Sequence, residues 1–172
     1  MLHGSSSSLD AVLDRKCLGE NVFSPVHLHA AGRLLAQYRV PLLPKLLDYF
    51  GRFVFGCWFP HTVKAGHGLV LGYGGLGVVV HSLAVIGNNV HIDQNVTIGG
   101  SGTQGGVPLI GNNVYIGAGA KVLGPIEIGS GSIVGANAVA ISSVPPKSLV
   151  VGVPARVVKS NIEIDGVLFH RR

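Results

Sequence analysis

The chain has 172 residues, of which 12% are charged, 6% are aromatic and 26 are glycine, and its formal net charge is +5. This length accommodates one domain with a small accessory element. The basic residues are scattered without a run of five or six, which argues against nucleic acid as a partner. Few charges and many glycines are typical of a repetitive β structure, in which small residues turn corners and aliphatic residues stack inside.

The N-terminal part, residues 1–58, is predicted to be a helical region that follows an irregular Ser-rich start. Two helices are expected at residues 25–38 and 42–55. Ser24 before Pro25 is a helix start signal, and Pro41 disfavours helix at Val40. The second helix carries apolar residues at helical spacing, which predicts a packing face. These residues are Leu43, Leu46, Leu47, Phe50 and Val54.

The chain opens without the apolar stretch of a signal peptide, and its most apolar helical stretch, residues 46–59, includes Asp48 and Arg52. Such a stretch is too short and too charged to span a bilayer, so a soluble cytoplasmic protein without membrane insertion is expected. Cys17 and Cys57 form neither a metal motif nor a disulfide framework, and no histidine pair has zinc-ligand spacing. No metal requirement is therefore predicted.

From about Phe59 the hydrophobic pattern has a period of six. This period fits neither a helix nor a plain alternating strand, and it predicts a triangular coil with one aliphatic residue pointing inward from each side. Glycine and asparagine tolerate the backbone angles that the corners require. The inward positions are Val80, Ile86, Ile92, Ile98, Ile110, Ile116, Val122, Ile128 and Val134.

The repeat is interrupted between Ile98 and Ile110 by residues 99–109, which are rich in glycine. Such a break predicts a protruding loop, a common place for functional residues. Pro145 and Pro146 then end the coil, and residues 150–158 form a closing segment. The coil domain is accordingly predicted at residues 59–160, followed by a tail at residues 161–172.

Several segments along the coil resemble the hexapeptide-repeat acyltransferases, within them the serine acetyltransferase-like branch. The resemblance covers roughly residues 60–160 and implies a left-handed parallel β-helix, a mainly β fold with the short helical region in front. The segments, in chain order, are Val96-Thr97-Ile98-Gly99-Gly100, Ile116-Gly117-Ala118-Gly119-Ala120-Lys121, Ile128-Gly129, Val134-Gly135-Ala136, Val144-Pro145-Pro146 and Gly152-Val153-Pro154-Ala155-Arg156.

The same resemblance implies a homotrimer that binds acetyl-CoA, the acyl donor, along the coil between neighbouring subunits. Small residues would let the pantetheine arm approach the backbone, and a cationic side chain would pair with phosphate. The candidate cofactor-binding residues are Gly99, Gly100, Ala118, Lys121, Ala136, Pro154 and Arg156.

Acetyl transfer to an alcohol requires a general base, a role that suits histidine. Serine acetyltransferases have an Asp-His pair where this chain, counted back from Gly77, has Tyr73-Gly74. Shorter relatives from polysaccharide loci share the segment that ends in His81, which makes His81 the first candidate base. His91, with Asp93 as an orienting carboxylate, is the second, and His67 the third.

A second histidine of the serine acetyltransferases, with an arginine before it, falls where this chain has Gly106-Val107. Both departures favour a sugar hydroxyl of a surface-polysaccharide precursor as the acceptor. The alternative is serine O-acetylation in cysteine biosynthesis. A different class of function, a non-catalytic hexapeptide-repeat scaffold, would leave CoA unbound.

Overall fold

The computed structural model describes residues 23–102 and 105–164, in which two helices precede a coil of short strands. The helices are α1 (Pro25–Gln37) and α2 (Leu43–Phe55), and a short 3-10 turn covers Gly72–Gly75. The strands are β1 (Lys64–Ala65), β2 (Val70–Leu71), β3 (Val79–Val80), β4 (Val85–Ile86), β5 (His91–Ile92), β6 (Thr97–Gly99), β7 (Leu109–Ile110), β8 (Tyr115–Ile116), β9 (Lys121–Leu123), β10 (Glu127–Ile128), β11 (Ile133–Val134), β12 (Val139–Ala140), β13 (Leu149–Val151) and β14 (Arg156–Lys159).

The strands form three sheets, one for each side of a triangular coil. Sheet I has the order β1-β4-β7-β10, sheet II has β2-β5-β8-β11-β13-β14, and sheet III has β3-β6-β9-β12. Every pairing is parallel except that of β13 with β14, which is antiparallel. Each successive coil therefore places its strands directly over those of the coil before it.

The core is the column of aliphatic side chains that the period of six predicts. All nine predicted inward residues are buried, and so are the residues four positions after most of them, among them Val96, Val114 and Ala138. Each side of the coil thus contributes two inward residues. Removing this apolar surface from water stabilises the coil, at roughly 25 cal/mol for each Å² buried.

Asparagines occupy the corners, as their backbone tolerance predicts. Asn89, Asn95, Asn113 and Asn137 all have a positive φ, between 53° and 60°. The Asn89 Nδ2 donates to Asn113 Oδ1 at 3.2 Å, which links equivalent corners of successive coils. The corners are therefore stabilised by side-chain hydrogen bonds as well as by the strand ladders.

The two helices pack on each other and on the first coil. Ser24 has the N-cap position of α1, but its hydroxyl contacts Nδ1 of His27 at 2.8 Å and caps no backbone group. The packing face predicted for α2 is wrong: Leu43, Leu46, Phe50 and Val54 are exposed, and Leu47 is half-buried. Helical spacing shows which residues share a face but does not show which face turns inward.

Small residues form the inward face of α2 instead. Pro44 and Gly51 are the residues of α2 that are buried. A Cβ at Gly51 would lie 3.3 Å from Leu28 of α1, and one at Gly32 would lie 2.8 Å from the Cβ of His61. The close approach of the helices to each other and to the coil thus depends on residues that have little or no side chain.

Two histidines join the helices to the coil. The buried His29 contacts the carbonyl of Val63 at 3.0 Å through Nε2, and burial lowers its pKa to about 4. The Asp48 carboxylate accepts from the backbone N–H of His61 at 2.8 Å and lies 2.7 Å from the Nδ1 of the same residue. Both side chains therefore help to hold the helices on the first coil.

The interruption of the repeat lies where it was predicted. The chain leaves β6 at Gly99 and regains the register at β7, and residues 103–104 of this loop fall outside the described part. The closing segment is the antiparallel pair of β13 and β14. The predicted fold class, a hexapeptide-repeat parallel β-helix after a short helical region, is confirmed, and the solenoid is consistent with the left hand.

Several predictions concern residues outside the described part, among them the Ser-rich start, Cys17 and most of the tail at residues 161–172. The boundaries of the three predicted regions stay predictions. Among residues 23–102 and 105–164, no helix combines the length and the hydrophobicity needed to cross a membrane.

Candidate active site

Three polar side chains meet on the outer surface of sheet II, at its corner with sheet III. His91 of β5 is directly opposite Tyr115 of β8, and Asp93 follows β5 at the corner. The His91 Nε2 lies 3.1 Å from Asp93 Oδ1, and the Tyr115 hydroxyl donates to Asp93 Oδ2 at 2.5 Å. The rings of His91 and Tyr115 stack, with centroids 5.2 Å apart. We call these three residues the His91 cluster.

The His91 cluster favours one tautomer of the imidazole. An ionised carboxylate only accepts hydrogen bonds, so Asp93 keeps the proton of neutral His91 on Nε2 and leaves the lone pair on Nδ1. That Nδ1 is buried and has no hydrogen-bond partner among the described residues. His91 is thus a half-buried imidazole with a free acceptor atom, the form that a general base requires.

Tyr115 is a donor that stays protonated. Burial, the hydrogen bond to Asp93 and the negative charge of Asp93 together raise the pKa of Tyr115 to about 12. At neutral pH its hydroxyl therefore donates to Asp93 and fixes the second carboxylate oxygen. Sequence reasoning missed Tyr115, although it occupies the same place in its hexapeptide as His91 does one coil earlier.

The segment Gly72–Gly75 borders the His91 cluster. A Cβ at Gly72 would lie 2.6 Å from Asp93 Oδ1 and 3.3 Å from His91 Nε2, so only glycine fits there. Tyr73 follows in a left-handed conformation, with a φ of 53°, and its side chain is exposed. The same segment carries Tyr73-Gly74, the position of the Asp-His pair that the resemblance assigns to serine acetyltransferases.

His81, the first candidate base from the sequence, lies elsewhere. It follows β3, at the opposite end of the sheet III strand from the corner with Asp93, and it is exposed. The backbone N–H of Leu83 donates to its Nδ1 at 3.2 Å. This bond keeps the proton of the neutral ring on Nε2, so a base role at Nε2 would require loss of the bond.

The third histidine candidate is exposed. His67 lies in the turn between β1 and β2, and its backbone N–H donates to Asn88 Oδ1 at 3.1 Å.

No group of three potential metal ligands occurs within residues 23–102 and 105–164. Cys57 is buried, which raises its pKa to about 12 and makes it a poor nucleophile.

Two of the predicted CoA-binding residues stack above the corner of the His91 cluster. The Gly119 N–H donates to the carbonyl of Gln94 at 2.9 Å, and the Asn137 N–H donates to the carbonyl of Ala118 at 2.8 Å. Gln94, Ala118 and Ala136 therefore form one column along this corner. Gln94, whose buried Oε1 has no partner in the described chain, is a second polar residue that sequence reasoning missed.

The other predicted CoA-binding residues are spread over neighbouring surfaces. Gly99 and Gly100 begin the loop after β6, at the end of sheet III where His81 lies. Lys121 of β9 is closer to the corner column, and its Nζ donates to the carbonyl of Asn95 at 2.6 Å. Pro154 and Arg156 are exposed in the closing segment at the far end of the coil.

Comparisons with known proteins agree with this architecture. The family described as bacterial transferase hexapeptide (six repeats) matches residues 108–140. A serine acetyltransferase of Synechococcus elongatus is 38% identical over 146 residues, 83% of this chain and 59% of its own length. One from Staphylococcus aureus is 39% identical over 146 residues, 84% of this chain and 68% of its own length.

Serine acetyltransferase from Brucella abortus, solved in complex with coenzyme A, superposes with a TM-score of 0.75 at 33% identity, over 91% of this chain and 61% of that one. The chain belongs to the serine acetyltransferase family. It spans about three fifths to two thirds of the length of these members. Membership places it among the hexapeptide-repeat acyltransferases.

Proposed function

We propose that the chain is an acetyl-CoA-dependent O-acetyltransferase that acetylates the hydroxyl of L-serine, with His91 as the general base. The names of its relatives and the coenzyme A complex of one of them support the donor and the acceptor. The observation that carries the assignment of the base is the hydrogen-bonded series from His91 through Asp93 to Tyr115.

The proposed reaction is a direct transfer. The Nδ1 of neutral His91 takes the proton of the acceptor hydroxyl as the oxygen attacks the thioester carbonyl. Asp93 stabilises the imidazolium that forms, and Tyr115 holds the carboxylate in place. The carbon–sulfur bond then breaks, and the proton passes to the CoA thiolate. Because Nδ1 is buried in the single chain, this step requires His91 or its neighbours to open a path to the acceptor hydroxyl.

The column of Gln94, Ala118 and Ala136 is the proposed path of the pantetheine arm. The small side chains of Ala118 and Ala136 leave the backbone accessible, and Gln94 and the His91 cluster lie at the lower end of the column, where the thioester would end. Gly99, Gly100, Lys121, Pro154 and Arg156 belong to the same proposal as contacts that complete the site between subunits of a homotrimer. A cytoplasmic location also remains part of the proposal.

A sugar hydroxyl is the second candidate acceptor, and two specific differences favour it. The chain has Tyr73-Gly74 and Gly106-Val107 where the resemblance places the Asp-His and Arg-His pairs of serine acetyltransferases. The exposed ring of Tyr73 beside the His91 cluster provides an aromatic surface on which a sugar could stack.

An acceptor panel separates these functions. Full-length protein is incubated with radiolabelled acetyl-CoA and either L-serine or nucleotide-linked sugars, and the labelled product is identified by chromatography. We expect O-acetylserine. A labelled sugar without O-acetylserine would select the second candidate instead.

A CoA-binding measurement distinguishes the proposed enzyme from a non-catalytic scaffold, which would not bind CoA. An enzyme of the proposed kind gains thermal stability with CoA, by several degrees at about 100 times the dissociation constant. An unchanged melting temperature at millimolar CoA, together with no product from any acceptor, would contradict the proposed enzyme and leave the scaffold.

A further inference from the structure

Helix α2 presents an apolar surface outward. Leu43, Leu46, Tyr49, Phe50, Phe53 and Val54 lie on one arc of the helix, and all are exposed. Phe53 is 90% exposed and Leu46 is 65% exposed. Leu42, just before the helix, is 81% exposed and extends the same surface. A continuous apolar patch of this kind in a water-soluble fold indicates a binding surface. We call it the α2 face.

Contacts on the opposite side of α2 prevent the helix from rotating to bury this face. Pro44 and Gly51 pack against α1 and the coil, and the carboxylate of Asp48 is bound to His61. The helix is therefore fixed with its small residues inward and its large apolar residues outward. Phe23, just before α1, contacts this face with its ring centroid 6.5 Å from that of Phe50, and the large apolar residues of the face remain exposed among the described residues.

Cations lie along one flank of the α2 face. Lys45 and Arg52 lie along one flank of the apolar arc at the helical spacing, and both are exposed. Arg52 is held over the ring of Trp58, with its guanidinium carbon 5.7 Å from the ring centroid. Arg39, between the two helices, is exposed as well, whereas Arg33 of α1 donates to the carbonyl of Ala65 on the coil at 3.4 Å.

Residues 23–56 contain one acidic residue, Asp48, and its carboxylate contacts the His61 side chain. Within the described residues 23–56, the exposed charged side chains are thus all positive.

We propose that the α2 face docks on the surface of an anionic lipid bilayer. An interfacial helix combines an aromatic and aliphatic face, which enters the headgroup boundary, with cationic flanks that attract anionic lipid. Phe50, Phe53 and Tyr49 supply the aromatic groups, and Lys45 and Arg52 supply the flanking charge. The helix lies in the plane of the interface and does not span the bilayer.

The charges beside the α2 face favour an anionic bilayer over a second copy of the chain as its binding partner. A symmetric contact between two α2 faces would bring Lys45 and Arg52 of each copy together without an exposed acid from the same helices to offset them. An anionic surface, by contrast, interacts favourably with every one of these cations.

The test is sedimentation of the full-length protein with vesicles. We expect binding to phosphatidylcholine vesicles that contain about a third phosphatidylglycerol, and at least about tenfold weaker binding to pure phosphatidylcholine. The variants Leu46→Ser and Phe53→Ser should each weaken binding to the anionic vesicles about tenfold or more. Leu83→Ser is the matched control, because Leu83 is 68% exposed but lies on the coil, and it should bind as the parent does.

Two results would overturn the proposal. One is the absence of binding to anionic vesicles at low salt by a folded protein, as judged by circular dichroism. The other is binding that Leu46→Ser and Phe53→Ser leave unchanged. If these variants instead change the mass in solution while the parent ignores vesicles, the face joins copies of the chain. Neither result bears on acetyl transfer, so the proposed enzyme is tested separately.

Discussion

The chemistry of His91 depends on two residues that are distant from each other in sequence. Asp93 lies two positions away and selects the tautomer, while Tyr115 comes from the next coil and orients Asp93. His81 has a backbone N–H as its partner on Nδ1 and no carboxylate partner among the described residues. At the scale of single residues, this difference in partners is the reason that we propose His91 rather than His81 as the base.

Replacing His91 should remove the base while keeping the fold. We expect His91→Asn to lower kcat by about two to four orders of magnitude, with the KM for acetyl-CoA nearly unchanged, because the asparagine cannot accept the proton. Steady-state kinetics with acetyl-CoA and the acceptor identified in the panel measure both constants.

His81→Asn is the matched control for this substitution, and it should retain most of the parental kcat. The reverse pattern, a large loss with His81→Asn and none with His91→Asn, would assign the base to His81. Circular dichroism of both variants establishes that they are folded.

At the scale of elements, the sequence predicts what is periodic. The inward aliphatics, the asparagine corners and the loop after β6 follow from spacing alone, because each hexapeptide repeats the same local geometry. The pairing of His91 with Tyr115 does not follow as simply. The loop inserts extra residues between their coils, so the two are 24 positions apart, whereas Tyr115 and its next partner Ile133 are 18 apart.

The way the helices pack on the coil could not be predicted from the sequence. Spacing identified the shared face of α2, but its inward side is decided by the fit of Gly51 against Leu28 and by the contacts of Asp48 with His61. These are contacts between elements, and no local pattern encodes them.

The buried His29 makes the junction between α1 and the coil sensitive to pH. Burial lowers its folded-state pKa from 6.5 to about 4, so between these values the unfolded chain binds a proton that the folded chain does not. The free energy of unfolding should therefore be fully retained above about pH 6.5 and decrease by about 3 kcal/mol as the pH falls towards 4.

Urea denaturation at several pH values measures this dependence. His29→Gln keeps an amide donor for the carbonyl of Val63 but cannot titrate, so its stability should change less between pH 6.5 and 4 than that of the parent. Equal slopes for the two proteins would show that other groups cause the pH dependence.

At the scale of the whole molecule, the outer surface of sheet I contains exposed apolar residues on a flat face. Val85 and Leu109 are neighbours in the register, between Lys64 on one side and Glu127 on the other, and both are partly exposed. A flat apolar strip with opposite charges at its ends is suited to contact with another copy of the chain. It therefore supports the homotrimer that the resemblance implies.

The homotrimer can be tested by placing a charge in this strip. We expect the parent to have a mass in solution of about three times 17.8 kDa by light scattering. Leu109→Glu should dissociate it, because an unpaired carboxylate would be buried in the contact, and activity should fall in parallel if the site is shared between subunits.

Leu46→Ser, on the α2 face and away from the coil, is the control that should keep the parental mass. A parent that is monomeric at micromolar concentration and still acetylates its acceptor would exclude a shared site. Each coil would then have to supply its own complete donor site, and the column of Gln94, Ala118 and Ala136 would bind CoA without a neighbouring subunit.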